Sequence, residues 1–196
     1  MLYIGIDLGT SACKFLLMDE TGDIKNIVSR DYPLSFPKAG WSEQDPAAWV
    51  RAVEEGIPAL LAGFDASLVR GIGAGGQMHG LVVLDAEDRV IRPAILWNDG
   101  RTAEEVRFLN ETVGREKLSA ATAIAFAGFT APKLLWMKKH EPELFARIDK
   151  IMLPKDYINY VLTGVHCTEP SDAAGTLLYD VKRGCWSKEM LAIVGV

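Results

Sequence analysis

Leu2-Tyr3-Ile4-Gly5-Ile6-Asp7 has the β-branched and aromatic content of a strand, which Gly9 interrupts. A second apolar run, Phe15-Leu16-Leu17-Met18, follows the Gly9-Thr10-Ser11 turn. Asp19-Glu20-Thr21-Gly22-Asp23 is turn chemistry, and Ile24–Ser29 is a third predicted strand. The chain thus opens as an antiparallel meander. Beyond a Pro-bearing loop at 32–40 the period changes. Ala48, Trp49, Ala52, Val53, Gly56, Ile57 and Leu60 fall on one helical face, with Asp45 as N-cap and Pro46 as first helical residue. Pro58 is expected to kink this helix or end its regular part early.

Val69–Ala74 predicts a strand running into Gly75-Gly76-Gln77-Met78-His79-Gly80. Leu81–Leu84 and Val90–Trp97 predict two more, joined by the polar turn Asp85-Ala86-Glu87-Asp88. Helices are expected around Thr102–Asn110, Arg115–Ala120, Ala131–His140, Pro154–Leu162 and Ser187–Val194, with a short buried strand at Ile151-Met152-Leu153. No low-complexity segment divides the chain, so the pattern reads as one continuous α/β domain.

Composition narrows the function classes. The 196 residues are 49% hydrophobic and 24% charged, enough for a real core. A net charge of −5 without a Lys/Arg-rich run argues against a nucleic-acid or anionic-membrane surface. No apolar stretch approaches the roughly 18 residues that a membrane span requires. The N-terminus enters its strand pattern with no signal-peptide architecture. Cys13, Cys167 and Cys185 are odd in number and lack metal-type spacing, which fits reduced thiols in a cytoplasmic protein. His79, His140 and His166 form no His-x-x-x-His pair, so a zinc site has no support.

The candidate chemistry begins at Asp7-Leu8-Gly9-Thr10-Ser11. A Gly-rich turn after a strand commonly holds phosphate where it leads into a helix, whereas here it leads into another strand. Neither a P-loop nor a Rossmann fingerprint is present. What remains is a hairpin whose N–H groups can form an anion nest. Gly9 permits close approach, Thr10 and Ser11 offer hydroxyls, and Lys14 lies within reach of a phosphate. Asp7 repels phosphate directly but could hold Mg²⁺, itself or through water. A plain β-hairpin with an Asp-capped turn accounts for the same residues.

Further segments carry a resemblance. Gly9-Thr10-Ser11, Trp41-Ser42-Glu43-Gln44-Asp45-Pro46 and Gly76-Gln77-Met78-His79-Gly80 together resemble the FGGY carbohydrate kinases. Ala94-Ile95-Leu96-Trp97-Asn98-Asp99-Gly100-Arg101, Phe129–Trp136, Leu153-Pro154-Lys155-Asp156-Tyr157 and Ser171-Asp172-Ala173-Ala174-Gly175-Thr176 agree in order. The wording is most like the bacterial xylulokinase branch, and it covers the family's N-terminal domain over residues 1–196.

The resemblance implies an actin-like ATPase (ribonuclease-H-like) α/β fold, with a mixed sheet, an antiparallel N-terminal meander and flanking helices. It also implies ATP and Mg²⁺ as cofactors and a pentulose as substrate. Gly9, Thr10, Ser11 and Lys14 would then face the ATP phosphates, with Asp7 near the metal. Gln77, Met78 and His79 would bind the sugar, an imidazole exchanging hydrogen bonds with hydroxyls and Met walling the C–H faces. His79 could instead be a core histidine, and Trp97 either a wall of the sugar pocket or a core aromatic closing its strand. Asp99 and Arg101 read better as a loop-fixing ion pair, with Trp41, Glu43 and Gln44 ordering the loop beside the pocket. The residues of Phe129–Trp136 look mostly like packing. Asp172 reads as a turn or cap rather than a base.

The family takes its catalytic Asp, second phosphate loop and most of the adenine pocket from a C-terminal domain, and no second phosphate turn is found here. The chain is therefore expected to be a truncated sugar-binding half that transfers no phosphate, with an exposed apolar face that would permit a homodimer. Three alternatives stand beside this: a non-catalytic sugar- or partner-binding module, a kinase for gluconate, ribulose or glycerol, and a ribonuclease-H-like nuclease. Gln77-Met78-His79 argues against glycerol kinase, which carries an Arg-Glu pair there. The nuclease needs several carboxylates around two metals, and Asp7 is the only well-placed one.

Overall fold

The computed structural model describes residues 1–196. Strands β1 (Leu2–Leu8), β2 (Ala12–Asp19) and β3 (Ile24–Asp31) form the expected antiparallel meander. Strand β5 (Val69–Gly76) then pairs parallel to β1, giving a mixed sheet of order β3-β2-β1-β5. Alternation decides which face is buried. Leu2, Ile4, Ile6 and Leu8 point inward beside Cys13, Phe15 and Leu17, while Asp7 and Lys14 face out. Helix α1 (Pro46–Leu60) covers the inner face with Trp49, Ala52, Val53 and Leu60. Fully burying a large apolar side chain of this kind contributes about 1.5–3 kcal/mol, so this contact fixes the meander's register.

Helix α1 starts as its sequence dictates, with the Asp45 carboxylate accepting from Ala47 N at 3.0 Å and Pro46 at the first position. Pro58 costs the helix one backbone bond, and only two further helical residues follow it.

The second half divides between two cores: Val82, Leu84, Ala94, Leu96, Met152 and Ile158 join the core under the meander, and the alternate residues face a second one. Strands β6 (Val82–Leu84) and β8 (Lys150–Met152) pair antiparallel, and β4 (Glu43–Gln44) pairs with β7 (Ala94–Ile95). Helix α2 (Ala103–Arg107) widens into a π-type segment at Phe108–Gly114, Gly114 with φ of 102° breaks it, and α3 (Arg115–Ala121) follows. Helices α4 (Thr130–His140) and α5 (Pro142–Phe145) precede β8, and α6 (Pro154–Thr163) follows it. The chain closes with α7 (Pro170–Ala174), the hairpin β9 (Tyr179–Asp180) and β10 (Cys185–Trp186), and α8 (Lys188–Val194). Leu81, Val83, Ile95, Leu134, Met137 and Met190 belong to this second core.

The expected strand at Val90–Trp97 is a correction. Val90 meets Leu84 in an isolated bridge, and only Ala94–Ile95 pairs regularly. Pro93 has no N–H to donate, and Arg92 is drawn inward to ion pairs with Glu43 and Glu141. Exposed apolar residues do occur where the sheet ends at β5: Leu68 and Ile72, with Val161, Leu162 and Val165 on or just after α6.

Candidate functional site

Parallel pairing of β1 with β5 brings the two glycine-rich segments together. Leu8 lies opposite Gly76, and Gln77 N donates to Leu8 O at 2.8 Å, so the 9–11 turn and residues 77–79 leave the same edge of the sheet. This is the end of parallel strands at which α/β proteins place ligands.

The 9–11 turn is tight. Gly9 N donates to Asp7 O and Ala12 O, both at 3.1 Å, and a Cβ on Gly9 would sit 2.9 Å from Ala12 O. The N–H groups of Thr10 and Ser11 donate to nothing within the protein. Asp7 and Lys14 are register partners on the exposed face of the sheet, beside Gly75. Beneath them burial, reinforced by the Asp7 charge, pushes the Cys13 thiol up to about 12, so it is an inert core group.

A polar network braces the turn from behind. Tyr32 Oη donates to Gly9 O. Gln44, 1% exposed, donates from Nε2 to Thr10 O at 3.1 Å and to Pro33 O at 3.0 Å. Its Oε1 accepts from the buried Trp49 indole at 2.7 Å and from Gln77 Nε2 at 3.2 Å. Gln77 is itself buried and reaches toward Gly9 O at 3.5 Å. Its side chain belongs to the support behind the turn, while Met78 is exposed.

Trp97 is not a core aromatic. Its indole is 42% exposed and donates from Nε1 to Thr10 Oγ1 at 3.0 Å, tying the 97–101 loop to the turn. That loop is held by the Asp99–Arg101 pair, both buried. Arg101 donates from Nε at 2.8 Å and from Nη2 at 2.7 Å, and Ser42 N caps Asp99 at 2.6 Å. Arg101 also pairs with Glu43 at 2.8 Å and lies 3.7 Å from the Trp41 ring centroid. The ion-pair reading of Asp99 and Arg101 is the one the structure shows.

His79 is half-buried in the left-handed region, with φ of 61°. Its ring lies 4.5 Å from Phe129, centroid to centroid. Nδ1 is buried against the Gly175 backbone in a geometry that makes no hydrogen bond, which leaves Nε2 as the outward nitrogen. Burial, and then the Lys133 charge, hold the imidazole below its usual pKa, with Asp172 and the Gly175 backbone opposing them. Asp172 itself pairs with Lys155 at 2.9 Å.

Two residues of the family-like segments have roles that the sequence did not assign. Lys133 is fully buried and donates to His79 O at 2.8 Å and Gly128 O at 2.7 Å. Gly175 gives up the space that the His79 ring occupies. Nothing in composition or period marks either one. Two concavities, of about 730 Å³ beside Trp41, Arg101 and Trp136 and about 540 Å³ beside Met152, Leu178 and Trp186, lie away from the turn. Neither includes Thr10, Met78, His79 or Trp97. No group of three or more His, Cys, Asp or Glu converges anywhere, and Asp7 stands as a lone carboxylate.

Residues 2–196 match the N-terminal domain model of the FGGY family of carbohydrate kinases. The chain belongs to that family. The FGGY chain is 49% identical over 189 residues to a xylulose kinase of Staphylococcus xylosus, covering 96% of this chain and 39% of that one. A xylulose kinase structure from Brucella ovis superposes with a TM-score of 0.95 at 45% identity, covering 100% of this chain and 40% of that one. A gluconate kinase structure from Lactobacillus acidophilus gives a TM-score of 0.94 at 32% identity, with the same coverage. The chain thus spans about two fifths of the length of the curated relatives it matches. The actin-like ATPase fold that the resemblance implies is the fold of these FGGY neighbours. No helix is long and apolar enough to cross a membrane.

Proposed function

We propose that this chain is the sugar-facing half of a pentulose kinase that converts D-xylulose and ATP to D-xylulose 5-phosphate and ADP. One observation carries the reading: a turn with two unpaired N–H groups and the Met78–His79 pair leave adjacent parallel strands together, beside Trp97. The xylulose kinases named among the relatives supply the sugar class.

In this reading the Thr10 and Ser11 amides and hydroxyls receive phosphate oxygens, and Gly9 lets them approach. Lys14 neutralises charge at the mouth of the turn. The exposed carboxylate of Asp7 would hold Mg²⁺, which commonly takes one or two carboxylates and completes its shell with water and phosphate. When bound, that ion would neutralise charge on the transferring phosphoryl group. Outward Nε2 of His79 exchanges a hydrogen bond with a sugar hydroxyl, and Met78 and the Trp97 face wall the C–H side. Gln77 serves by holding the turn. The carboxylates of Asp99 and Asp172 are committed to Arg101 and Lys155, so the reading assigns the general base to another part of a longer protein. Three free cysteines agree with a cytoplasmic site of action, and the apolar residues around β5 provide a surface on which two copies could pair.

An ATP-coupled assay tests this, with D-xylulose, gluconate and glycerol offered in parallel. The chain alone is expected to turn over none of them, and calorimetry is expected to show weak preferential binding of D-xylulose. Rapid turnover by residues 1–196 alone would refute the assignment of the base elsewhere. Binding of gluconate but not D-xylulose would refute the sugar class.

A further inference from the structure

A fully buried lysine without a carboxylate at its ammonium is costly unless its protons are spoken for. Lys133 projects from the first turn of α4, and its contacts are two backbone carbonyls from different loops, His79 O at 2.8 Å and Gly128 O at 2.7 Å. Thr130, three residues earlier on the same helix, adds a hydroxyl donor to His79 O at 3.2 Å. One carbonyl thus receives two donors from one helix turn. It belongs to a residue in the left-handed region, a conformation that a non-glycine residue adopts at a cost and keeps only when its surroundings enforce it. The second carbonyl has its own connection to the site. Gly128 packs so closely against the Trp97 backbone that a Cβ there would lie 2.3 Å from Trp97 O.

We propose that Lys133 is a positioning residue for the sugar site, its ammonium clamping His79 directly and Trp97 through Gly128, with Thr130 as the auxiliary donor. The inference rests on the sugar-site reading of His79 and Trp97, and the clamp itself can be observed without sugar. A lysine suits this place because one ammonium donates to two carbonyls from one point, where a methionine of similar length donates to none. The placement also gives a buried basic residue of the Phe129–Trp136 segment a role beyond packing.

The test uses Lys133→Met and Thr130→Val, with hydrogen–deuterium exchange and calorimetric titration of D-xylulose. In Lys133→Met, amide exchange over residues 76–82 and 126–130 is expected to rise about tenfold or more while β1–β3 keep their protection, and sugar affinity is expected to fall about tenfold. Thr130→Val is expected to move the same amides and the same affinity by roughly threefold. A lysine that merely stabilised the fold would loosen the whole chain, and that result overturns the proposal. So does unchanged exchange at 76–82 in either folded variant. If Lys133→Met does not fold, Thr130→Val decides on the same amides. Absence of sugar binding by the unsubstituted protein counts against the sugar-site reading, and the exchange data still judge the clamp.

Discussion

Gly175→Ala perturbs the candidate site through one methyl group. The backbone at Gly175 is right-handed helical, with φ −71° and ψ −9°, so alanine adopts it without strain. On that account alone the substitution would stabilise the protein by about 0.4–1 kcal/mol, by restricting the unfolded chain. The space decides otherwise. The new Cβ would lie 2.4 Å from His79 Cε1 and 2.5 Å from Nδ1. The ring must retreat by roughly 1 Å to reach an ordinary contact of about 3.5 Å.

Its freedom to do so is limited, because Phe129 lies on one side and the backbone is held by Lys133 and Thr130. Overpacking of this kind costs about 1–3 kcal/mol, which leaves a net loss of roughly 1 kcal/mol after the backbone gain. For a chain of this size that is a fall of about 2–4 °C in Tm. The larger effect falls on binding, since swinging Nε2 away from its hydroxyl forfeits a hydrogen bond of about 1–1.5 kcal/mol, close to tenfold in Kd. Calorimetry with D-xylulose reads the affinity, and the His79 ring proton resonances report the displacement. Gly73→Ala, with nothing within 4 Å of its Cβ, is the control. If Gly175→Ala leaves both the His79 resonances and the sugar affinity unchanged, the cradle reasoning is wrong.

Gly9→Ala places a methyl 2.9 Å from Ala12 O, a backbone atom that cannot move without opening the turn, so Mg-ATP affinity is expected to fall about tenfold or more while D-xylulose affinity holds within about twofold; equal loss of both would show a general collapse of the edge. Lys133 has its pKa lowered by burial to about 7, with Asp99 opposing and Arg101 adding to the shift. Its unfolded form takes up a proton first as pH falls, so the lysine destabilises the fold progressively from about pH 10.5 down to 7, and raising the pH restores stability on the order of a few kcal/mol. Denaturant midpoints from pH 7 to 10 are expected to rise more for the parent than for Lys133→Met, and parallel slopes would show that burial does not lower the pKa of the lysine.

The meander, helix α1 and the later helices were legible because their cause is local. Apolar periodicity, Asp45 and Pro46 at a helix start, and turn residues at 19–23 all act within one or two turns of chain. Val90–Trp97 misled because its apolar content suits a strand, while its pairing depends on a proline without a donor and on Arg92 being captured by Glu43 and Glu141, two distant residues. Trp97 was open to two readings for the same reason: whether an indole ends in the core or over Thr10 depends on where β1 delivers Thr10.

Gln77 shows what a motif can hide. Its place between Gly76 and Met78 suggests ligand contact, yet alternation at the end of β5 turns it inward to Gln44 and Gly9, while Met78 turns out. The site is therefore built in two tiers that run through a single tripeptide. Behind the turn, the side chains of Gln44, Trp49, Gln77 and Tyr32 bond to Gly9 O, to Thr10 O or to one another, with one further bond from Gln44 to Pro33 O. The bonds that reach the turn go to its carbonyl oxygens, and the N–H groups of Thr10 and Ser11 make none within the protein. A turn braced through its acceptors presents its donors, and that polarity suits an anion more than any single residue in the segment does.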